Sequence, residues 1–301
     1  MDYVMLLGDK IKEKRLELGM KQAELAEGIC TQASISNLEH NTTTPSLVLL
    51  LAIGKRLNID LNELSDYAIE QVDPTASIFN QVQLLRSQFK VKEAYNLIIE
   101  KLSIEQLKKN HEKKKYYYYL GITSLLGKES ISDAHYNFNL ALSIESEPSS
   151  LFLDILTTNG IGLAYFLDSE KDKALTYFEK SLVELDNFTS ESALLNEESI
   201  EITKMYYATA KFYSAIEEYT KAVDLCTLGI NLQQNMHVNY ELEQLYYEKA
   251  FNLAKLNRKN EAEEFYSYAT ALAKMIGNQT VIKVIKKNLS EFKLNLTINL
   301  D

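Results

Sequence analysis

The sequence predicts an all-α protein: a small N-terminal domain over residues 1–70, then a right-handed solenoid of helix hairpins over residues 71–301. Three observations carry this. Only three prolines and ten glycines punctuate 301 residues, too few breakers for a chain of strands and tight turns. Apolar residues recur at the spacing of one helix face rather than in alternation. From about residue 75 a pattern of small and aromatic residues returns at a near-constant interval, as stacked supersecondary units require.

The head divides into five short helical segments. Ile11, Arg15 and Leu18 share helical spacing, and Gly19 ends that segment, as a residue just past a helix should. A second runs from Gln22 to Glu27 and stops at Gly28. Thr31 or Ser34 opens a third, which reaches about Glu39. Thr44-Pro45-Ser46 breaks the chain and starts a fourth from Leu47 to Leu57, because Ser and Thr cap helices and Pro suits their first turn. Asp60 to Tyr67 makes a fifth, and Asp73-Pro74 marks the boundary.

In the body, a small residue, three others, a large residue, two others and usually a small residue recur. The copies are Ala134/Phe138/Ala141, Ala174/Phe178/Ser181, Ala222/Cys226/Gly229 and Ala262/Tyr266/Ala269, with a degenerate one at Ala94/Ile98. The intervals from Ala94 are 40, 40, 48 and 40 residues. About twelve residues before each anchor stands Val82, Gly121, Gly162, Ala210 or Ala250. Each unit therefore reads as two helices crossing where small residues let the backbones approach. The pattern resembles tetratricopeptide repeats with lengthened helices, about five hairpins in all. A last helix, Val281 to Leu294, would cap the stack.

The segment from Gln22 to Glu39 resembles the helix-turn-helix of phage repressors. Leu25, Ala26, Ile29, Ile35 and Leu38 are spaced to share a core. That leaves Thr31, Gln32, Ala33, Ser34, Ser36 and Asn37 on the outer side of the third helix, the short polar set a major-groove helix uses. The resemblance implies that Gln32, Ala33 and Asn37 face bases and that Gln22 holds the phosphate backbone. It also implies that Arg15 pairs with Glu39, and that His40 and Asn41 touch phosphate. Residues 1–72 carry seven Lys or Arg against eleven Asp or Glu. So acidic a head binds weakly alone, and a homodimer on two half-sites is expected.

Head and body together resemble the PlcR-like regulators, receptors for short signalling peptides. Glu27-Gly-Ile-Cys-Thr-Gln32, Pro45-Ser46 and Lys55-Arg56-Leu57 extend the likeness. It implies a cytoplasmic transcription regulator whose repeat body binds a short peptide on its concave face. There Asn159 would hold the peptide backbone, as the resemblance implies, while Ala208 stands where the next unit would be expected to supply another Asn. Lys204 and Lys211 would face an acidic group, and Tyr207, Gln244, Tyr247 and Phe251 complete the candidate surface.

The rest of the sequence narrows the classes. The net charge is −10, so nucleic-acid binding has to be local and geometric. Cys30 and Cys226, the two cysteines, make no disulfide framework. No apolar run approaches the ~20 residues of a membrane span. The four histidines lack metal-ligand spacing, and no nucleophile elbow or phosphate loop is present. We therefore expect no enzyme, no metal and no cofactor. Two alternatives share the fold: an adaptor that binds a partner protein through its repeats, and a phage-type repressor under no peptide control.

Overall fold

The computed structural model describes residues 7–40, 45, 47–59, 74–146, 150–191, 196–237 and 239–296. The expected fifth head helix, the Thr44 and Ser46 flanks of Pro45, and Asn41 lie outside these residues. The described residues are overwhelmingly helical and contain no strand. The chain divides into two compact units, Met1–Gln106 and Leu107–Asp301.

The first unit opens with α1 (Leu7–Glu17), α2 (Gln22–Ala26), α3 (Gln32–Glu39) and α4 (Leu47–Leu57). Gly19 and Gly28 adopt φ of +66° and +68° where α1 and α2 stop, a conformation that L side chains resist. Leu7, Ile11, Leu25, Ala26, Ile35, Leu38, Leu50, Ile53 and Leu57 form one buried core. The same unit holds the hairpin of α5 (Pro74–Ser87) and α6 (Val91–Lys101).

The second unit is a run of four hairpins and a cap. These are α7 (Asn110–Gly127) with α8 (Ile131–Ser143), and α9 (Leu151–Leu167) with α10 (Lys171–Glu191). Then come α11 (Asn196–Ala215) with α12 (Tyr219–Asn235), α13 (Leu242–Lys255) with α14 (Lys259–Ile276), and α15 (Gln279–Phe292). First helices pack on first helices: α7 on α9, α9 on α11, α11 on α13, and α13 on α15. The 48-residue interval falls where α10 and α11 lengthen to 21 and 20 residues. The cap begins two residues before the expected Val281, because Asn278 accepts the Val281 N–H at 3.3 Å.

Every anchor is sealed. Ala94, Ala134, Ala174, Ala222 and Ala262, with Ile98, Phe138, Phe178, Cys226 and Tyr266, have no exposed surface. A further periodicity lies in the turns. Phe89, Glu129, Ser169, Glu217 and Asn257 have φ between +55° and +66°, and each stands five residues before its anchor alanine. In four of the five turns the next N–H closes back on the carbonyl five residues earlier at 2.9 Å: Lys90 to Leu85, Glu170 to Tyr165, Glu218 to Tyr213, and Arg258 to Leu253. This is the left-handed helix stop usually given to glycine, here built without one.

Candidate nucleic-acid interface and ligand groove

The head carries a polar relay that begins inside and ends outside. Arg15 on α1 reaches Glu39 at the end of α3 with Nε–Oε1 at 2.5 Å and Nη2–Oε2 at 2.9 Å, and its Nη1 donates to the Met20 carbonyl. Burial pushes the Glu39 carboxyl up, but hydrogen bonds from Arg15 and Gln22 outweigh it and hold the group below the ordinary carboxylate range. Gln22 Nε2 donates to Glu39 Oε2 at 2.8 Å, and Gln32 Nε2 donates to Gln22 Oε1 at 2.7 Å. The buried ion pair thus orients Gln22 at the start of α2, and Gln22 in turn orients Gln32 at the start of α3.

Around Gln32 the outer side of α3 is open. Thr31, Gln32, Ala33, Asn37 and His40 are exposed, and Ser34 and Ser36 are half-buried. Thr31 caps α3 by accepting the Ser34 N–H at 3.1 Å, and the two hydroxyls meet at 2.8 Å. His40 Nδ1 donates to the Ser36 carbonyl at 2.6 Å, which ties its ring to the end of α3. Sequence reasoning missed Arg56. Its guanidinium donates to the carbonyls of Glu24, Leu25 and Glu27, closing the C-terminus of α2 from the last turn of α4. A cation at a helix end was the available signal.

The residues expected on the inner face of the body fall into three environments. Asn159 is buried, and its amide donates to Ser181 Oγ at 3.0 Å and Thr209 Oγ1 at 3.2 Å. Lys204, Tyr207 and Lys211 cluster on α11. Lys204 Nζ meets Glu201 Oε1 at 2.8 Å and lies 4.9 Å from the Tyr240 ring centre. Lys211 is exposed and lies over the Tyr207 ring, whose hydroxyl burial pushes well up. On α13, Gln244, Tyr247 and Phe251 are half-buried. Tyr247 accepts from Asn288 at 3.1 Å, and Phe251 meets Phe292 edge-on, so both are turned toward the cap. A second ion pair, the buried Lys114 with the half-buried Asp154 supported by Ser146, was also not foreseen. Among the described residues no group of His, Cys, Asp or Glu is arranged to hold a metal.

Residues 11–64 match the helix-turn-helix family. The helix-turn-helix head accounts for only part of the chain, but the likeness in fold runs almost end to end. Bacillus thuringiensis PlcR, solved with the peptide PapR7 and DNA, is 20% identical with a TM-score of 0.60, covering 94% of this chain and 99% of that one. The apo form of the competence regulator ComR from Streptococcus vestibularis is 16% identical with a TM-score of 0.52, covering 96% and 98%. The PrgX/cCF10 complex is 12% identical with a TM-score of 0.53, covering 94% and 98%. The chain shares the fold of these proteins, head and repeat body together. A sequence comparison with curated proteins gives no match.

Proposed function

We propose that this protein is a cytoplasmic, sequence-specific DNA-binding transcription regulator whose repeat body binds a short signalling peptide. DNA binding is assigned to residues 1–70, and ligand binding and dimerisation to residues 71–301. The observation that carries the DNA assignment is the relay from Arg15 through Glu39 and Gln22 to Gln32. It preorganises two amides at the open ends of α2 and α3, where one can meet phosphate and the other a base edge. Thr31, Ala33, Ser34, Ser36, Asn37, His40 and Asn41 complete the proposed DNA surface. The peptide assignment is supported by fold: PlcR was solved with the peptide PapR7 and DNA, and PrgX in complex with cCF10. Among the described residues no helix is long and apolar enough to cross a membrane.

On DNA the head works as one of two, because a lone acidic head has too few cations for useful affinity. A peptide alters DNA binding only insofar as it prefers one arrangement of the paired heads. The test is operator selection followed by footprinting with and without candidate peptides. Loss of the footprint in Gln32→Ala/Asn37→Ala supports the recognition-helix assignment, and an unchanged footprint overturns it. Sedimentation that finds only monomer, with and without DNA, overturns the dimer.

A further inference from the structure

The first helices of the hairpins are not equally open. α13 is amphipathic, with half-exposed Gln244, Tyr246 and Tyr247 among buried neighbours. α9 is different: the eight consecutive residues from Ile155 to Gly162 are all buried, as are Tyr118 to Leu125 on the neighbouring α7. Eight residues make more than two turns, so no side of α9 reaches solvent there. Its neighbours are α7, α8, α10 and α11. The helices α7 and α11 flank it among the first helices, and an open repeat stack would leave a stripe of α9 showing between them.

A contact between the two flanks spans that stripe. The Tyr118 hydroxyl of α7 donates to Glu201 Oε2 of α11 at 3.4 Å, and both residues are buried. They belong to hairpins that are not neighbours in the stack. Lys204 fixes the other oxygen of Glu201 and lies against the Tyr240 ring, so the bridge continues toward α13. A buried carboxylate is stable only when paired in this way.

We propose that Tyr118 and Glu201 form a latch that holds the inner groove shut over α9, and that ligand entry requires its release. Its purpose rests on the peptide-binding reading, whereas its geometry does not. At 3.4 Å the bond is long for an O–H···O contact, so opening sacrifices little. A site that must first open binds with its affinity reduced by the open fraction, which makes Tyr118 and Glu201 determinants of ligand sensitivity although neither has to touch the ligand.

The experiment is hydrogen–deuterium exchange on the full chain, comparing wild type with Tyr118→Phe and Glu201→Gln. Amides of residues 155–162 should exchange about twofold faster in each variant, since so long a bond lies at the weak end of the ordinary net range. Protection in α14 and α15 should not change. Unaltered exchange at 155–162 in both variants overturns the latch. So does a loss of protection spread evenly from α7 to α15, since the pair would then be holding the core. No ligand enters the measurement, so failure of the latch leaves the peptide reading standing, and a protein that binds no peptide leaves the latch equally testable.

Discussion

Gly121 on α7 faces the ring of Phe138 on α8 so closely that a β-carbon on Gly121 would lie 2.5 Å from two ring carbons. The ring cannot retreat, because a β-carbon on Gly160 of α9 would meet its far edge at 2.6 Å. Phe138 is thus clasped between two first helices. Alanine in a helix ordinarily gains about 1 kcal/mol over glycine, while overpacking a filled core loses about 1–3 kcal/mol. Here the second effect should win. Gly121→Ala is expected to lower the urea midpoint of unfolding, and Phe138→Leu in the same chain should recover part of the loss. Equal or greater stability of Gly121→Ala would show that the ring has room to move.

The turn residue Glu217 sits at φ +66° with an exposed side chain. A left-handed conformation strains a non-glycine residue by about 1–2 kcal/mol, and glycine's greater freedom in the unfolded chain returns part of that. Glu217→Gly should leave the protein as stable or raise its stability by up to about 1 kcal/mol. Asn257→Gly should do less, since Asn tolerates this region. Thermal unfolding of both variants checks the order.

Arg15 and Glu39 form a buried pair, so Arg15→Ala strands a carboxylate and should destabilise the head by about 3–5 kcal/mol. The pH dependence has a definite sign. The Glu39 carboxyl is held low in the folded state, so an unfolded chain takes up its proton first as pH falls. The stabilisation is complete above about pH 4.5 and is lost below it, through the folded-state value. Head unfolding followed by NMR between pH 7 and 3 should show this loss in wild type and little of it in Glu39→Gln.

The His135 ring lies tilted against Tyr165 with ring centres 4.4 Å apart, and its buried Nε2 has no hydrogen-bond partner among the described residues. Burial pushes its protonation below the ordinary 6.5, against the nearby Asp168, so the neutral ring is the one that fits. Its contribution is full above pH 6.5 and falls as pH drops through the folded-state value. Melting temperature should therefore decline between pH 7.5 and 5.5 in wild type. A decline just as steep in His135→Phe would locate the effect elsewhere.

Asn159 donates to two hydroxyls, Ser181 of its own hairpin and Thr209 of the next. Asn159→Ala should therefore lower stability by about 1–3 kcal/mol even without ligand, since both buried acceptors lose their donor. A variant as stable as wild type but weaker for peptide would restore the backbone-clamp role that the family resemblance implies.

The architecture was legible because its signals are local and repeated. Ala134, Ala174, Ala222 and Ala262 recur with their aromatic or sulfur partners, and each proved an anchor with no exposed surface. The ends of α1 and α2 were marked by glycines, whereas Phe89, Glu129, Ser169 and Glu217 use the same left-handed stop without the residue that advertises it. The relay in the head was half visible: the Arg15–Glu39 pair followed from the resemblance, but Gln22 bridging to Gln32 depends on side-chain geometry that spacing does not encode. Inner-face spacing could name Asn159 and Lys204, but not that Ser181, Thr209 and Glu201 would already engage them.

Stacked repeats usually interact with nearest neighbours alone, so their ends can fray while the middle stays folded. Tyr118 and Glu201 are 83 residues apart and join two hairpins that are not adjacent. Such a cross-tie penalises any state in which one of those hairpins has melted and the other has not. The two tied hairpins should therefore open together somewhat more often than a nearest-neighbour stack allows, by the small margin that one long bond supplies.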